Sequence, residues 1–486
     1  MRTFRLYVPA ISVVAVFLLY IGVGQTYADT MASIAASLCA LYLCGLSILY
    51  AGIPHPKEWK PSQWLLVAFV FVVLCTTIFS GNFLHAFFGF ALDMTSGGFI
   101  VLMCILALFV GGFSRVVRQG LFIASTCVLV GLLVYPYLRT EQLVRPSLTT
   151  TLRVESAAYT DLGGKVLVAG IGPSAFTYAW QKYRPGEVLA TPFWNEDFSV
   201  GSGLLPTLLV ECGAIAALLF TLSFFSAVAE EFLQVITRTY TMRRRVVALA
   251  SVAVIFFALA LLVYAEPSAP LLLAVAVALG SCRYEDSTCL RVRPLVRTIL
   301  FGILAVLTVG VLYLGLSAAF YFYAYANMQQ QDLLRARSAG EYAYALSPTG
   351  QTDRLLAQIL RSSGHALGNA AASQVQVGQL FHRASIYARA ATVTESANAQ
   401  SWKLLGITLA EEMSLAPSED VFYESKAAFE RAHAESPNDP SVLFFQAQLY
   451  ILAGQKQQAG DALQAALALR PTYTEASDLL AAVKAK

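Results

Sequence analysis

Apolar positions in the first two thirds of the chain fall in long unbroken runs. They do not alternate, and they do not mark one face of a helix. The runs cover residues 7–24, 31–53, 63–80, 98–113, 120–137, 204–228, 246–265, 268–281 and 298–324. About 20 apolar residues in helical form cross the hydrocarbon of a bilayer. The pattern therefore predicts about nine membrane-spanning helices, the fourth and eighth being short. Residues 7–24 also fit a signal peptide, with Met1–Arg5 as a basic head and Thr26-Tyr27-Ala28 as a cleavage site. Both readings put residue 30 outside. After residue 324 the pattern changes to polar helical segments rich in Ala, Gln, Glu and Arg. The expected organisation is an all-α chain: a polytopic helical membrane bundle at 1–324, with one long outer loop at 138–203, and a separate helical domain at 325–486.

Basic residues orient the bundle. With the N-terminus in the cytoplasm, the inner segments hold Arg2, Arg5, Lys57, Lys60, Arg115, Arg118, Arg238, Arg243, Arg244, Arg245, Arg283, Arg291, Arg293 and Arg297, and the short outer loops hold no Lys or Arg. This is the positive-inside bias. An odd number of spans then puts the tail outside. The outer basic residues before the tail, Arg139, Arg145, Arg153, Lys165, Lys182 and Arg184, all lie in the 138–203 loop.

Composition agrees with this division. The 486 residues are 57% hydrophobic and 13% charged, against about 25% charged in an average soluble domain. That excludes a soluble enzyme, a disordered protein and a coiled coil. A net charge of +3 excludes a generally basic nucleic-acid binder. The eight cysteines all precede residue 290, so no disulfide framework holds the tail. Cys282 and Cys289 lack the spacing of a zinc site.

The tail repeats itself. Ala428-Phe429-Glu430-Arg431-Ala432 through Pro437 recurs as Ala462-Leu463-Gln464-Ala465-Ala466 through Pro471, an offset of 34 residues. That is the period of the tetratricopeptide repeat. Trp402-Lys403-Leu404-Leu405-Gly406 matches the W-x-x-L-G opening one unit earlier. This unit carries six extra residues, expected near 415–421. One such pair of helices cannot bury its apolar face alone, so residues 331–390 are expected to supply a degenerate unit. His365, His382 and His433 read as isolated surface or packing residues. The tail caps the membrane part or binds a protein partner.

The outer loop carries the candidate chemistry. It contains Gly170-Ile171-Gly172-Pro173-Ser174-Ala175-Phe176, then Lys182-Tyr183-Arg184-Pro185, then Trp194-Asn195-Glu196-Asp197. The next span holds Leu209-Val210-Glu211-Cys212-Gly213. An ionisable group such as Glu211 inside an apolar span is functional or paired. Arg and Lys beside a span grip an oxyanion or anchor the helix to anionic headgroups.

Together these segments resemble the O-antigen ligase and polymerase superfamily of bacterial membrane proteins. Thr76-Thr77-Ile78-Phe79-Ser80, Phe87-Phe88-Gly89 and Gly97-Gly98 resemble its early S-x-x-x-S, F-x-G and G segment. Residues 168–176 resemble its G-x-G-P-x-x-F stretch, and residues 209–213 its L-x-E-x-G. The resemblance implies transfer or polymerisation of an undecaprenyl-diphosphate-linked glycan on the outer face of the inner membrane. It implies a glycan, lipid or protein acceptor and no cofactor or metal. On this reading Arg139, Arg145, Arg153, Lys182, Arg184, Trp194 and Asn195 bind substrate, and Glu196, Asp197 and Glu211 are the candidate acid–base groups. The chain departs from the family in one respect. A His-Asn pair ordinarily leads into the Glu-x-Gly helix, and here Ser202-Gly203 occupies those positions. Catalysis therefore stays open. The competing reading is a non-catalytic membrane scaffold that works through its repeat domain. A secondary transporter fits less well, because the spans hold no acidic or basic relay beyond Glu211.

The orientation has a direct test. Alkaline phosphatase fused after residue 330 is expected to be active, and phosphatase fused after Arg245 inactive. The reverse pattern contradicts the orientation and the outer-face chemistry with it.

Overall fold

The structure is a computed structural model. It describes residues 2–22, 25–51, 53–138, 144–237, 242–281, 289–290, 293–370 and 373–485. Arg139 and Cys282 lie outside the described residues. The chain is all-helical apart from a two-residue pairing of Ile53–Pro54 with Cys289–Leu290. It forms two compact units. One comprises Met1–Phe176 and Ser199–Gly315, the other Thr177–Phe198 and Leu316–Lys486.

Each of the nine apolar runs is helical in the described residues. Helices α1 (Arg2–Gly22), α2 (Gln25–Leu46), α3 (Pro61–Phe79), α4 (Phe83–Phe88), α5 (Gly97–Val110) and α6 (Arg115–Leu138) come first. Among the described residues, six helices are long and apolar enough to cross a membrane by length and composition: Asp29–Tyr50, Pro61–Phe79, Arg115–Tyr137, Leu204–Thr237, Arg245–Tyr264 and Pro294–Gln329. Tyr7–Gly22, Gly97–Val110 and Ala269–Ser281 are apolar and shorter. The last of these is buried almost all round, with Leu271, Ala274 and Val277 at 2% exposure or less. It packs against α2, α5 and α6. A helix wrapped by others reads as a continuous apolar run whatever its length.

The expected loop at 138–203 is itself built of helices. It contains α7 (Leu148–Leu162), α8 (Gly164–Ala169), α9 (Phe176–Tyr183) and a 3-10 turn at Gly186–Ala190. Ser147 caps α7 by accepting from the Thr150 amide at 3.1 Å, which satisfies one free amide of the first turn. Three further apolar helices follow: α10 (Leu204–Thr237), α11 (Met242–Tyr264) and α12 (Ala269–Ser281). The first unit ends within α13 (Pro294–Gln329), not at residue 324. Ser317 Oγ donates to the Ala343 carbonyl at 3.0 Å, and the Phe320 and Tyr342 rings lie 5.4 Å apart. These contacts draw the end of α13 into the second unit.

That unit continues with α14 (Leu333–Leu346), α15 (Gly350–Asn369), α16 (Gln374–Thr394), α17 (Ala399–Leu415), α18 (Glu419–Glu435), α19 (Pro440–Leu452), α20 (Lys456–Leu469) and α21 (Thr474–Ala485). Consecutive helices pack on one another, joined by turns too short for anything but antiparallel pairs. Alanines fill the seams. Ala336, Ala343, Ala357, Ala388, Ala432 and Ala466 are fully buried. At Gly406 a Cβ would lie 2.8 Å from the Phe429 ring, which accounts for the small residue in the W-x-x-L-G opening. The extra residues of the Trp402 unit are not a loop insertion. Helices α17 and α18 each have 17 residues, against 13 in α19 and 14 in α20. Each gains about one helical turn of 3.6 residues, and this keeps its buried face in register. The tail histidines are not isolated either. His365 Nε2 lies 2.8 Å from Glu411 and His382 Nδ1 lies 2.8 Å from Glu412.

One acidic group of this unit is costly. Asp353 is 2% exposed, and Glu395 beside it is ion-paired with Arg354. Burial, reinforced by the Glu395 charge, pushes the Asp353 carboxyl up from its ordinary 3.8 to about 7. A raised carboxyl stabilises the fold only while protonated. The unfolded chain loses that proton near pH 3.8, so stability is expected to fall between about pH 4 and 7 and then level off. Asp353→Asn is expected to flatten this slope and raise the thermal midpoint at pH 8 by about 5 °C. Parallel unfolding curves for the two proteins from pH 4 to 8 would show that the fold does not sense Asp353.

Candidate functional site

Three sequence segments that are far apart along the chain meet in the first unit. The centre is a backbone-to-backbone approach of Gly170 and Gly213. Gly213 breaks the helical path of α10 at φ 82° and ψ 172°. Gly170 takes φ +67°. Both are left-handed conformations that glycine adopts without strain. A Cβ on Gly170 would run into the Glu211 carbonyl, and one on Gly213 would lie 2.6 Å from the Val168 carbonyl. The released carbonyls of α10 are used at once. The Ile171 amide donates to Val210 O at 3.1 Å, and the Gly172 amide to Glu211 O at 2.8 Å. The turn at 170–176 is thus bonded into the kink.

Side chains complete the junction. Glu211 is fully buried. Its Oε1 accepts from the Phe176 amide at 3.1 Å, and its Oε2 has no hydrogen-bond partner among the described residues. Asp93 interacts with it electrostatically. Asp93 is only partly buried. It accepts from the Ser174 hydroxyl at 2.9 Å, the Thr95 amide at 3.1 Å and the Phe90 amide at 3.2 Å. His85 Nε2 reaches the Ser174 carbonyl at 3.2 Å, and Asn82 caps the helix that presents it. Ala91, Leu92 and Ser174 all have positive φ, between 55° and 59°. Left-handed backbone at residues with a Cβ costs energy and clusters at functional sites. Here the strain surrounds Asp93.

Asp93, Ser174 and His85 were not among the expected site residues. Glu155 is another that sequence reasoning passed over. It is a buried carboxylate on α7 whose Oε2 has no partner among the described residues. Burial raises its carboxyl above the ordinary carboxylate range.

The expected site residues are divided between the two units. Arg145 belongs to the first unit. It is exposed and anchored by two donors, Nη1 to Ser202 O at 2.8 Å and Nη2 to Tyr264 O at 3.0 Å. Arg153 lies exposed on α7. Ser202-Gly203, at the family's His-Asn positions, is packed. The Ser202 amide donates to Thr151 Oγ1 at 3.0 Å, and a Cβ on Gly203 would strike the Val263 carbonyl.

Lys182, Arg184, Trp194, Asn195, Glu196 and Asp197 belong to the second unit. Arg184 is 2% exposed. It spends its donors inside the loop, on Trp194 O and on Asp197, both at 2.5 Å. Asp197 also accepts from Gln181 at 2.8 Å and from Gln400 at 2.9 Å, so it stands as a paired structural carboxylate. The Glu196 carbonyl accepts from Trp180 Nε1 at 3.0 Å, while the Glu196 and Asn195 residues are exposed. Lys182 Nζ sits 5.7 Å from the Tyr183 ring centroid. Among the described residues no group of three or more His, Cys, Asp and Glu is arranged to hold a metal.

No protein-family model matches the chain, and no curated protein matches it. Among solved structures, the crystal structure of yeast Tom70 matches at 14% identity, covering 84% of this chain and 89% of that chain, with a TM-score of 0.25. A superposition that loose carries no argument about this chain.

Proposed function

We propose that the protein is a lipid-linked glycan transferase of the ligase or polymerase type. On this reading it is a multi-pass protein of the bacterial inner membrane whose repeat domain lies outside. The supporting observation is that the three segments resembling that superfamily, around residues 76–98, 168–176 and 209–213, meet at one strained polar junction. A chance resemblance has no reason to bring its pieces together.

Asp93 is the acid–base group on this reading, in place of Glu196 and Asp197. It is the partly exposed carboxylate of the junction. In the reaction the acceptor oxygen bonds to the anomeric carbon as its bond to the diphosphate breaks. The diphosphate leaves with the electron pair, and Asp93 takes the acceptor proton. Glu211 fixes the turn that carries Ser174. Arg145 keeps free N–H groups of its five-donor fork for the leaving oxyanion. Arg184, sealed by Asp197, holds the loop. The acceptor would be a glycan, a lipid or a protein, and the repeat domain would recruit it or a protein partner.

The scaffold reading has its own support. Ser202-Gly203 leaves no room for the family's His-Asn pair, and the loop cations of the second unit are spent on the loop. A deletion strain separates the two readings. Surface glycan should be lost on deletion and restored by the wild-type gene. Asp93→Asn, at wild-type protein level in the membrane, should not restore it, with glycan yield at least about a hundredfold lower, as for loss of a general base. Full glycan in the deletion strain would sink the transferase reading and leave the scaffold.

A further inference from the structure

Segment Thr177–Phe198 is covalently part of the outer loop, yet it packs as part of the repeat domain. Its contacts fall on the turns that join the second helix of one repeat to the first helix of the next. At the turn between α16 and α17, Gln181 Oε1 accepts from the Ala399 amide at 3.0 Å, and Gln181 Nε2 donates to Asn398 Oδ1 at 3.2 Å. At the turn between α18 and α19, Ser436 Oγ donates to Gln181 O at 3.1 Å, and Asn438 Nδ2 to Arg184 O at 2.7 Å. At the turn between α20 and α21, Arg470 Nη1 donates to Leu189 O at 3.0 Å, and its guanidinium lies 4.5 Å from the Trp194 ring centroid. Tyr473 packs on the same ring at 5.2 Å.

Three successive turns thus meet one strip of chain in order. Most of the donors come from the turns, and most of the acceptors are backbone carbonyls of the strip. The array thus holds the end of α9 and the compact loop that follows it. Main-chain bonds supply affinity along its length, and side-chain seats such as the one for Trp194 supply register. Ser436 and Arg470 lie 34 residues apart, each capping the C-terminus of the second helix of its repeat, so that part of the surface recurs with the solenoid and is not one loop contact.

We infer that the turn edge of the repeat domain is a peptide-binding site, and that the chain's own segment 177–198 is its resident ligand. The ligand class is a short helix–loop peptide that carries a buried Gln on its helix and an Arg-stacked Trp in its loop. The site is full in the resting chain. A competing peptide enters only when the resident strip leaves.

The test uses the full-length protein in detergent and a dye-labelled synthetic peptide of residues 177–198, read by fluorescence anisotropy. Two proteins have the resident strip weakened. One carries Gln181→Ala with Trp194→Ala, and in the other residues 179–196 are replaced by a Gly-Ser linker. The peptide should bind both with a Kd of about 1–100 μM and should not bind wild type. Adding Arg470→Ala to either should weaken binding about tenfold or more. Absence of binding to both weakened proteins at wild-type helicity overturns the inference, because the strip is then a fixed wall. Loss of repeat-domain helicity in both also overturns it, because the strip is then an inseparable part of the core. Equal binding to wild type overturns it by placing the peptide elsewhere.

Discussion

A guanidinium held at 2% exposure must find partners inside the protein, and Arg184 donates Nη1 to the Trp194 carbonyl and Nη2 to the Asp197 carboxylate. Neither charge is stable alone in that environment. The pair closes residues 184–197 into a compact loop, and Trp180 reinforces the closure by bonding Glu196 O and packing on Phe198 at 4.8 Å. The carbonyls of Gln181, Arg184, Leu189 and Thr191 accept from Ser436, Asn438 and Arg470 of the repeat turns. Buried carbonyls need donors, and the repeat turns supply them. The second unit is therefore a solenoid assembled on the 177–198 strip. Removing either charge would leave the other buried and unpaired.

The first unit rests on a different constraint, the absence of side chains where two backbones touch. Gly170 and Gly213 let the 170–176 turn bond to the carbonyls that the kink in α10 sets free. Glu211 and Asp93 then approach the turn from two sides. The left-handed backbone at Ala91, Leu92 and Ser174 is a local cost that the surrounding helices sustain. Strained backbone clusters at functional sites, and its position around a partly exposed carboxylate is the physical ground for the proposal that Asp93 is the acid–base group.

Much of the architecture was legible from residue patterns, because apolar runs and a 34-residue offset are one-dimensional signals. Glu211 stood out for the same reason: a charge in an apolar run is conspicuous. Asp93 was not legible, since it sits among ordinary turn residues and joins the junction only when Ser174 folds onto it. Arg184 was misleading. Next to Lys182 it resembles an exposed cationic patch, and its burial depends on a carboxylate thirteen residues further along. The boundary of the repeat domain was hidden more deeply. The strip docks mostly through its backbone carbonyls, which every sequence possesses, so no residue pattern announces the attachment. Helices α17 and α18 show a related effect. The six additional residues look like a loop insertion in sequence, yet about one extra turn in each helix costs nothing in register.

The central claim is that segment 177–198 and the repeat helices form one folded body. Hydrogen–deuterium exchange on the full-length protein measures this directly. The account predicts that the amides of Trp180, Gln181 and Arg184 exchange as slowly as those of α17 and α19, and that Arg184→Ala speeds the loop amides by at least about a hundredfold, as expected when a buried charge loses its partner. Fast exchange of the wild-type segment, at the rate of an exposed loop while α17 and α19 stay protected, would contradict it.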